Sequence, residues 1–382
     1  HLLLRSISMN DKKIAFIICT NNNLYYEECV RYINELIIPT GYLIDIIAIK
    51  DADNILCGYN AGMASCDAKY KVYLHQDTFI LYQNFLKDTI NIFENNSTIG
   101  MIGVLGTTKL PENANCYLSW NIGKVAAYDG ISLNSTDFLY QTNALPYISV
   151  EAIDGMLMMT QYDLPWREDI LSGWDFYDIS QSLEMRYNGY TVVVPYQETE
   201  WCYHDNGVAN LSNYDIERQK IINAYPSIFN ISVDASQQNE LQSKLTLWHN
   251  IYQDLINLFN KKEYSELVKA ISNIRDKEIL HTHIRELINL MDIYVLEHTN
   301  HTPHSIYFSG TPWEQIYDLY LYTHFIVIRL GYQKSDDRYN DFFQLLINQK
   351  LSVIAVHFIA MHSLKDGSNT LQYLLDWNSN DL

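Results

Sequence analysis

Short, mainly apolar runs alternate with amphipathic stretches in the first part of the chain. The apolar runs lie at residues 14–20, 43–49, 71–74, 100–105, 156–160 and 191–195. Between the first two runs, residues 25–37 carry apolar side chains at helical spacing, and Pro39 and Gly41 follow as helix breakers. This alternation is typical of a mostly parallel sheet with flanking helices. We therefore predict an α/β domain over residues 10–230.

The hydrophobic pattern changes after residue 235. Apolar residues there recur about every 3.6 positions. The stretches with this period are residues 241–259, 264–274, 279–297, 311–330 and 341–362. They predict an all-helical domain over residues 235–382 that binds the acceptor, a protein partner or a second copy of the chain. Its first turn resembles those of helical-hairpin repeats, but no 34-residue period recurs, so a repeat array and a non-repetitive domain both remain open.

Residues 106–150 show little hydrophobic periodicity and are rich in Asn, Ser, Thr and Gly. Long segments of this kind inside compact domains usually serve a function. We predict a long loop region here that shapes an acceptor pocket.

Composition excludes several classes of partner. The formal net charge is −19, which repels nucleic acids and anionic membrane surfaces. The apolar runs are far shorter than the ~20 residues that span a bilayer, so we expect no transmembrane segment. The six cysteines show neither zinc-site spacing nor a disulfide framework, which favours buried thiols in a reducing, cytoplasmic compartment.

Polar residues follow the first three predicted strands. Because parallel strands share one carboxyl edge, residues 20–23, 51–53 and 75–77 should converge on one crevice. Asp77 can hold a hard divalent cation there, Mn²⁺ or Mg²⁺, against diphosphate oxygens. The alternative is an aspartate that caps the next helix. A lone histidine is more often a core residue than a ligand, and we therefore leave His75 out of the ligand set.

A second acidic segment precedes a predicted helix that Asn188 and Gly189 end. Asp178 falls in its first turn, where the helix dipole favours a carboxylate that can act as a general base. Asp175 is the predicted N-cap. Simple enrichment of acids at helix N-termini is the alternative explanation. Further on, the neutral imidazole of His204 can complete a Mg²⁺ or Mn²⁺ shell, although a lone histidine is often structural.

These segments, in this order over about residues 13–210, resemble the GT-A glycosyltransferases of family 2, especially the bacterial glycosyltransferase-like group. The resemblance implies a GT-A fold, with Asp51 in the place of the acid that reads the uracil ring. Residues 58–62 resemble the Asn-x-Gly element beside the nucleotide. The nucleotide-contacting residues implied are Thr20, Asn21, Asn22, Asp51, Asn60 and Gln76.

The resemblance also assigns the reaction centre. Residues 74–77 match the position of the family's Asp-x-Asp motif, but His75 replaces the first acid, so only Asp77 is carried over as a metal ligand. His204 falls at the late metal-binding histidine, and Asp178 at the Asp of a Glu-Asp pair that serves as catalytic base. The acceptor-binding residues implied are Asp154, Gly155, Trp174 and Asp175.

The function implied is a metal-dependent, inverting transfer of a sugar from a nucleoside-diphosphate sugar, with UDP favoured. The acceptor would be a hydroxyl of a glycan, a lipid-linked molecule or a protein, in bacterial polysaccharide or glycoprotein synthesis. One alternative is a nucleotidyltransferase that makes sugar nucleotides, a class that usually opens with a Gly-rich basic loop, which residues 20–24 lack. Another is a non-catalytic nucleotide-binding or interaction scaffold, which the histidine in the Asp-x-Asp position keeps open.

Overall fold

The computed structural model describes residues 9–128, 133–138, 146–204, 211, 213–230 and 236–275. The strands are β1 (Asn10–Thr20), β2 (Leu43–Lys50), β3 (Ala68–His75), β4 (Thr78–Ile80), β5 (Ile99–Gly103), β6 (Leu105–Thr107), β7 (Ile122–Tyr128), β8 (Leu133–Phe138), β9 (Tyr147–Val150), β10 (Ala152–Ile153), β11 (Leu157–Thr160), β12 (Thr191–Pro195) and β13 (Cys202–His204). The helices are α1 (Asn23–Asn34), α2 (Ile55–Ala64), α3 (Phe85–Asn95), α4 (Tyr177–Tyr187), α5 (Tyr214–Ala224), α6 (Ser236–Asn260) and α7 (Tyr264–Arg275).

The main sheet has the strand order β2-β1-β3-β11-β5-β12-β9. Strand β1 is parallel to β2 and β3, and β12 is parallel to β5, whereas β11 and β9 run antiparallel to their neighbours. The second half of β1 is fully buried because both faces of the sheet are covered, with α1 and α2 packing against this strand. The predicted α/β architecture is thus confirmed, as a mixed sheet in which most strands share one direction.

A second sheet has the order β10-β6-β7-β13-β4, and β8 pairs with β7. The prediction of one long loop over residues 106–150 was therefore wrong where β7, β8 and β9 lie. Residues 100–105, predicted as one strand, form parts of two strands, since β5 and β6 belong to different sheets. Apart from β8, which pairs with its chain neighbour β7, these strands have partners distant in the chain, so the local sequence did not indicate their pairing.

Two of the five predicted helical stretches after residue 235 lie within the described residues, and both are helical. Helices α6 and α7 match the predicted stretches at 241–259 and 264–274. Leu255, Phe259, Leu267 and Ile271 are buried, and Lys262 adopts a left-handed φ of 59° between the helices. The predicted helices at 279–297, 311–330 and 341–362 lie outside the described residues. The domain boundaries stay a prediction.

The chain divides into two compact units, one of which contains nearly all of both sheets, whereas the described residues 243–275 belong to the other. None of the described helices is both long and apolar enough to cross a bilayer. All six cysteines are free thiols. Cys57 and Cys66 are only half-buried, so full burial, as predicted, holds for the other four.

Candidate active site

A cleft of about 300 Å³ opens at the carboxyl ends of β1, β2 and β3. Because these strands are parallel neighbours, their last residues and the turns after them line one cavity. The polar lining residues are Thr20, Asn21, Asp51, His75, Gln76 and Asp77, and Tyr59 and Trp174 are the aromatic ones. The predicted convergence of the three strand ends is confirmed.

Gln76 holds the turn after β1. Its Oε1 accepts hydrogen bonds from Thr20 Oγ1 over 2.8 Å and from the backbone nitrogens of Asn21 and Asn22 over 3.1 Å and 3.0 Å. Its Nε2 donates to Asn21 Oδ1 over 2.7 Å. The amide of Gln76 is therefore occupied in shaping the turn, and Asn22 is drawn into this network without lining the cleft.

Asp51 and Asn60 have different surroundings. Asp51 is exposed at the cleft after β2, with a left-handed φ of 56°. Asn60 does not line the cleft, because its Nδ2 donates to the carbonyl of Trp166 and its Oδ1 accepts from the nitrogen of Trp166, both over 2.9 Å. The structure thus brings Asp51 to the cleft and uses the Asn60 amide to hold the segment after β11.

Three candidate metal ligands meet at the end of β3. Oδ1 of Asp77 lies 3.5 Å from Nε2 of His204 and 3.8 Å from Nδ1 of His75. Within the described part of the chain, this buried oxygen has no hydrogen-bond partner, which is costly for a carboxylate. The separations suit ligands of one octahedral ion, since ligands at about 2.1 Å from such an ion lie roughly 3–4 Å apart. The three residues fit a divalent cation.

His75 belongs to this cluster, although the sequence reasoning left it out. His75 ends β3 and Asp77 lies in the two-residue turn before β4, so this tight turn keeps the two side chains close together. The His-x-Asp spacing was the signal in the sequence. The alternative in which Asp77 caps a helix is wrong, because the next element is β4 and α3 begins only at Phe85 with Asn84 as its N-cap.

The charges in this cluster favour metal binding. Burial acts to raise the pKa of Asp77, but the facing imidazoles of His204 and His75 outweigh it and lower that pKa, so the carboxylate stays ionised. Burial lowers the pKa of His75, which favours the neutral ring that binds metals.

Tyr177 connects the metal cluster to the start of α4. Its hydroxyl is hydrogen-bonded to Nε2 of His75. The ring passes directly over Gly155, where any added Cβ would overlap it. The backbone nitrogen of Gly155 in turn donates to Oδ2 of Asp178 over 2.9 Å. Gly155 therefore contacts both the tyrosine behind the metal cluster and the predicted base.

Asp178 lies in the first turn of α4, as predicted, and is only 9% exposed. Its Oδ1 accepts from the nitrogen of Ile179 over 2.8 Å. Burial and the nearby charge of Asp154 raise the pKa of Asp178 to about 8. The predicted N-cap was wrong: Phe176 occupies that position with a left-handed φ of 62°, and its side chain makes no capping hydrogen bond.

The loop before α4 carries Trp174, which is 55% exposed at the cleft, and Asp175. Glu217 on α5 accepts hydrogen bonds from the nitrogen of Ser172 over 3.2 Å and from Lys220 Nζ over 2.8 Å, and so anchors this loop. Burial, with the charge of Glu217, raises the pKa of Asp175 to about 6. No sequence signal pointed to Glu217 as the anchor.

The fold and the site together define an α/β protein with a ligand cleft at the strand ends and a candidate divalent-metal centre beside it. Residues 15–225 match the sequence profile of the glycosyltransferase-like family. The match covers more than half of the chain, and the chain therefore belongs to that family. The prediction of a glycosyltransferase, with the mostly parallel α/β sheet of the GT-A resemblance, is confirmed.

Solved structures show weaker likeness. The chain is similar to residues 1–349 of S. aureus TarS in complex with UDP, with 9% identity and a TM-score of 0.38 over 81% of this chain and 91% of that TarS chain. It is also similar to the mannosyltransferase PcManGT from Pyrobaculum calidifontis in complex with GDP-Man and Mn²⁺, with 10% identity and a TM-score of 0.37 over 76% and 88% of the two chains. Among curated proteins, none matches the chain.

Proposed function

We propose that this glycosyltransferase is metal-dependent and inverting, and that it transfers a sugar from a UDP-sugar to an acceptor hydroxyl. The acceptor class is a glycan, a lipid-linked molecule or a protein. The observation that carries the proposal is the buried Oδ1 of Asp77, which has no hydrogen-bond partner among the described residues and faces His75 and His204 at the edge of the strand-end cleft.

The composition of the cleft supports a metal. Among the described residues that line it, none is Lys or Arg, whereas Asp51 and Asp77 are acidic. A diphosphate entering this cleft would find no side-chain cation to compensate its charge. Mn²⁺ or Mg²⁺ held by Asp77, His75 and His204 would supply that compensation and would neutralise the charge that develops on the leaving diphosphate.

The turn residues support a nucleotide in the same cleft. The exposed carboxylate of Asp51 can accept the imide N–H of uracil, which is why we favour UDP. Thr20 and Asn21, which are held by Gln76, line the same cleft after β1. Asn60 stays a predicted nucleotide contact that needs a rearrangement, since its amide is bonded to the Trp166 backbone.

We assign the base to Asp178. It would remove the proton of the acceptor hydroxyl, and the oxygen would attack the anomeric carbon from the face opposite the diphosphate, which inverts the configuration. A carboxylate with a pKa near the working pH is an effective base, and burial gives Asp178 such a pKa. Trp174, Asp175, Asp154 and Gly155 would contact the acceptor.

Thermal unfolding tests the donor site. UDP, GDP, dTDP and CDP are compared with Mn²⁺ or with EDTA, for wild type, Asp77→Ala and the control Asp53→Ala, which removes an exposed acid outside the cleft lining. A ligand at 100 times its dissociation constant stabilises the folded state by about 2.7 kcal/mol, so we expect a clear shift with UDP and Mn²⁺. The shift should vanish in Asp77→Ala and persist in the control. No shift with any nucleotide would contradict the proposal.

We also propose a cytoplasmic site of action, because all six cysteines are free thiols, as in reducing compartments. Fractionation of cells that express the protein checks this. Recovery from an oxidising compartment would count against it.

A further inference from the structure

The two ring nitrogens of His75 have different neighbours. Nε2 is hydrogen-bonded to the hydroxyl of Tyr177, and Nδ1 lies 3.8 Å from Oδ1 of Asp77. A neutral imidazole carries a single proton, so one nitrogen donates while the other offers a lone pair. Only a lone pair on Nδ1 allows the ring to join Asp77 as a metal ligand. The partner of Nε2 therefore decides whether His75 can bind metal.

We infer that Tyr177 is a positioning residue for the metal site, whose hydroxyl accepts the proton of His75 Nε2–H and so leaves the lone pair of Nδ1 towards Asp77. This inference rests on the proposed function, because it presumes a divalent cation at Asp77, His75 and His204. Histidine ligands generally donate their second ring N–H to a protein acceptor, which fixes both tautomer and ring orientation. Here a phenol takes the place of the more usual carboxylate or carbonyl.

The surroundings of Tyr177 hold its ring in one place. Tyr177 is buried, with its ring centroid 6.0 Å from that of Tyr59 and 6.3 Å from that of Trp166. Gly155 closes the third side, and its lack of a Cβ is what leaves room for the phenol. The hydroxyl is thus presented to His75 by packing, and a side chain without it would keep the same position.

Tyr177 is also the residue before Asp178, at the start of α4. The positioning residue Tyr177 and the proposed base Asp178 are therefore neighbours in the backbone. Gly155 contacts both of them, through the Tyr177 ring and through Asp178 Oδ2. Loss of the Tyr177 hydroxyl should weaken the metal site while leaving this backbone segment intact.

The test uses Mn²⁺ alone as the probe, titrated into the protein and followed by the electron paramagnetic resonance of free Mn²⁺. Wild type, Tyr177→Phe, Asp77→Ala and the control Tyr73→Phe are compared. Tyr73 is equally buried in the same aromatic cluster, so the control also removes one buried hydroxyl. Loss of a residue that orients a metal ligand typically costs about 10–100-fold in affinity. We expect that loss in Tyr177→Phe and less than a twofold change in Tyr73→Phe.

A second readout is independent of metal. In metal-free protein labelled with ¹⁵N-histidine, at about pH 8, where an ordinary imidazole is neutral, the nitrogen shifts report which ring nitrogen carries the proton. His75 is identified by its absence in His75→Gln. We expect the Nε2–H tautomer in wild type and a mixture in Tyr177→Phe.

The outcomes separate this inference from the proposed function. Mn²⁺ binding that Asp77→Ala abolishes but Tyr177→Phe leaves unchanged would overturn only the role of Tyr177. An Nδ1–H tautomer in wild type would overturn it as well. Wild type that binds no Mn²⁺ at this site would overturn both.

Discussion

Oδ1 of Asp77 lies 3.5 Å from Nε2 of His204, although the two residues are far apart in the sequence. The pairing of β13 with β4 explains this, because the two strands run antiparallel with His204 opposite Thr78, the neighbour of Asp77. His75 joins them because it ends β3, two residues before Asp77. The register of one short strand pair thus assembles the candidate metal centre.

The role of Asp178 predicts a pH dependence. A base must be ionised to take a proton, so turnover should be lost as the pH falls through its pKa, which is about 8 in the folded protein. We expect the rate of UDP release from a UDP-sugar to rise about tenfold per pH unit below that value and to level off above it. Asp178→Asn should lower the rate by about 10²–10⁴-fold and leave the UDP–Mn²⁺ thermal shift unchanged.

Asp175→Asn is the matched comparison, since burial and Glu217 give Asp175 a pKa of about 6. If that variant loses turnover, if Asp178→Asn keeps it, and if the pH profile has its midpoint near 6, Asp175 is the base and our assignment is wrong.

Gln76 should control donor affinity. Its side chain makes four hydrogen bonds to the turn after β1. Gln76→Ala frees this turn, and we expect the dissociation constant of UDP with Mn²⁺ to rise about tenfold, which is about 1.4 kcal/mol of binding free energy. Calorimetric titration measures it, with Gln83→Ala as an exposed control. Unchanged UDP affinity in Gln76→Ala would show that the turn does not hold the nucleotide.

Gly155 should tolerate no side chain. Gly155→Ala pushes against the Tyr177 ring, and overpacking of this kind costs about 1–3 kcal/mol of stability. We expect weaker Mn²⁺ binding and lower turnover together. Gly41→Ala is the control, because its φ of 82° also penalises a side chain but nothing lies within 4 Å of the added methyl. Equal Mn²⁺ affinity in both variants would mean that the contact of Gly155 with Tyr177 is dispensable.

Lys71 and Asp163 form an ion pair, and replacing Asp163 should destabilise the protein more than replacing Lys71. Lys71 is fully buried on β3 and contacts Asp163 over 2.7 Å, whereas the Asp163 side chain is 31% exposed. Asp163→Ala leaves a buried positive charge without its partner and should lower the free energy of unfolding by about 3–5 kcal/mol. Lys71→Met leaves the Asp163 carboxylate in contact with water, so it should lower the free energy of unfolding by much less. Urea unfolding compares the two, and equal losses would contradict this reasoning.

Local sequence predicted the main sheet because both faces of its central strands are buried. Such strands are continuous apolar runs, and β1, β3 and β12 lie within a few residues of their predicted bounds. The edge strand β2 is only half-buried, but its run is also mainly apolar and its bounds were predicted to within one residue. The sequence also predicted where α4 ends, since Gly189 adopts the left-handed φ of 83° that glycine favours after a helix. The second sheet was not predicted, because β4, β10 and β13 have only two or three residues each.

For the site, the sequence by itself determined the α/β class, the family resemblance and the polar strand ends that meet at one edge, including Asp77. Tertiary structure alone decided that His75 faces Asp77 and His204, that the Asn60 amide is bonded to the Trp166 backbone, and that Phe176 instead of Asp175 precedes α4. The physical reason is that strand ends follow from local burial patterns, whereas contacts between side chains depend on the register and packing of segments distant in the chain.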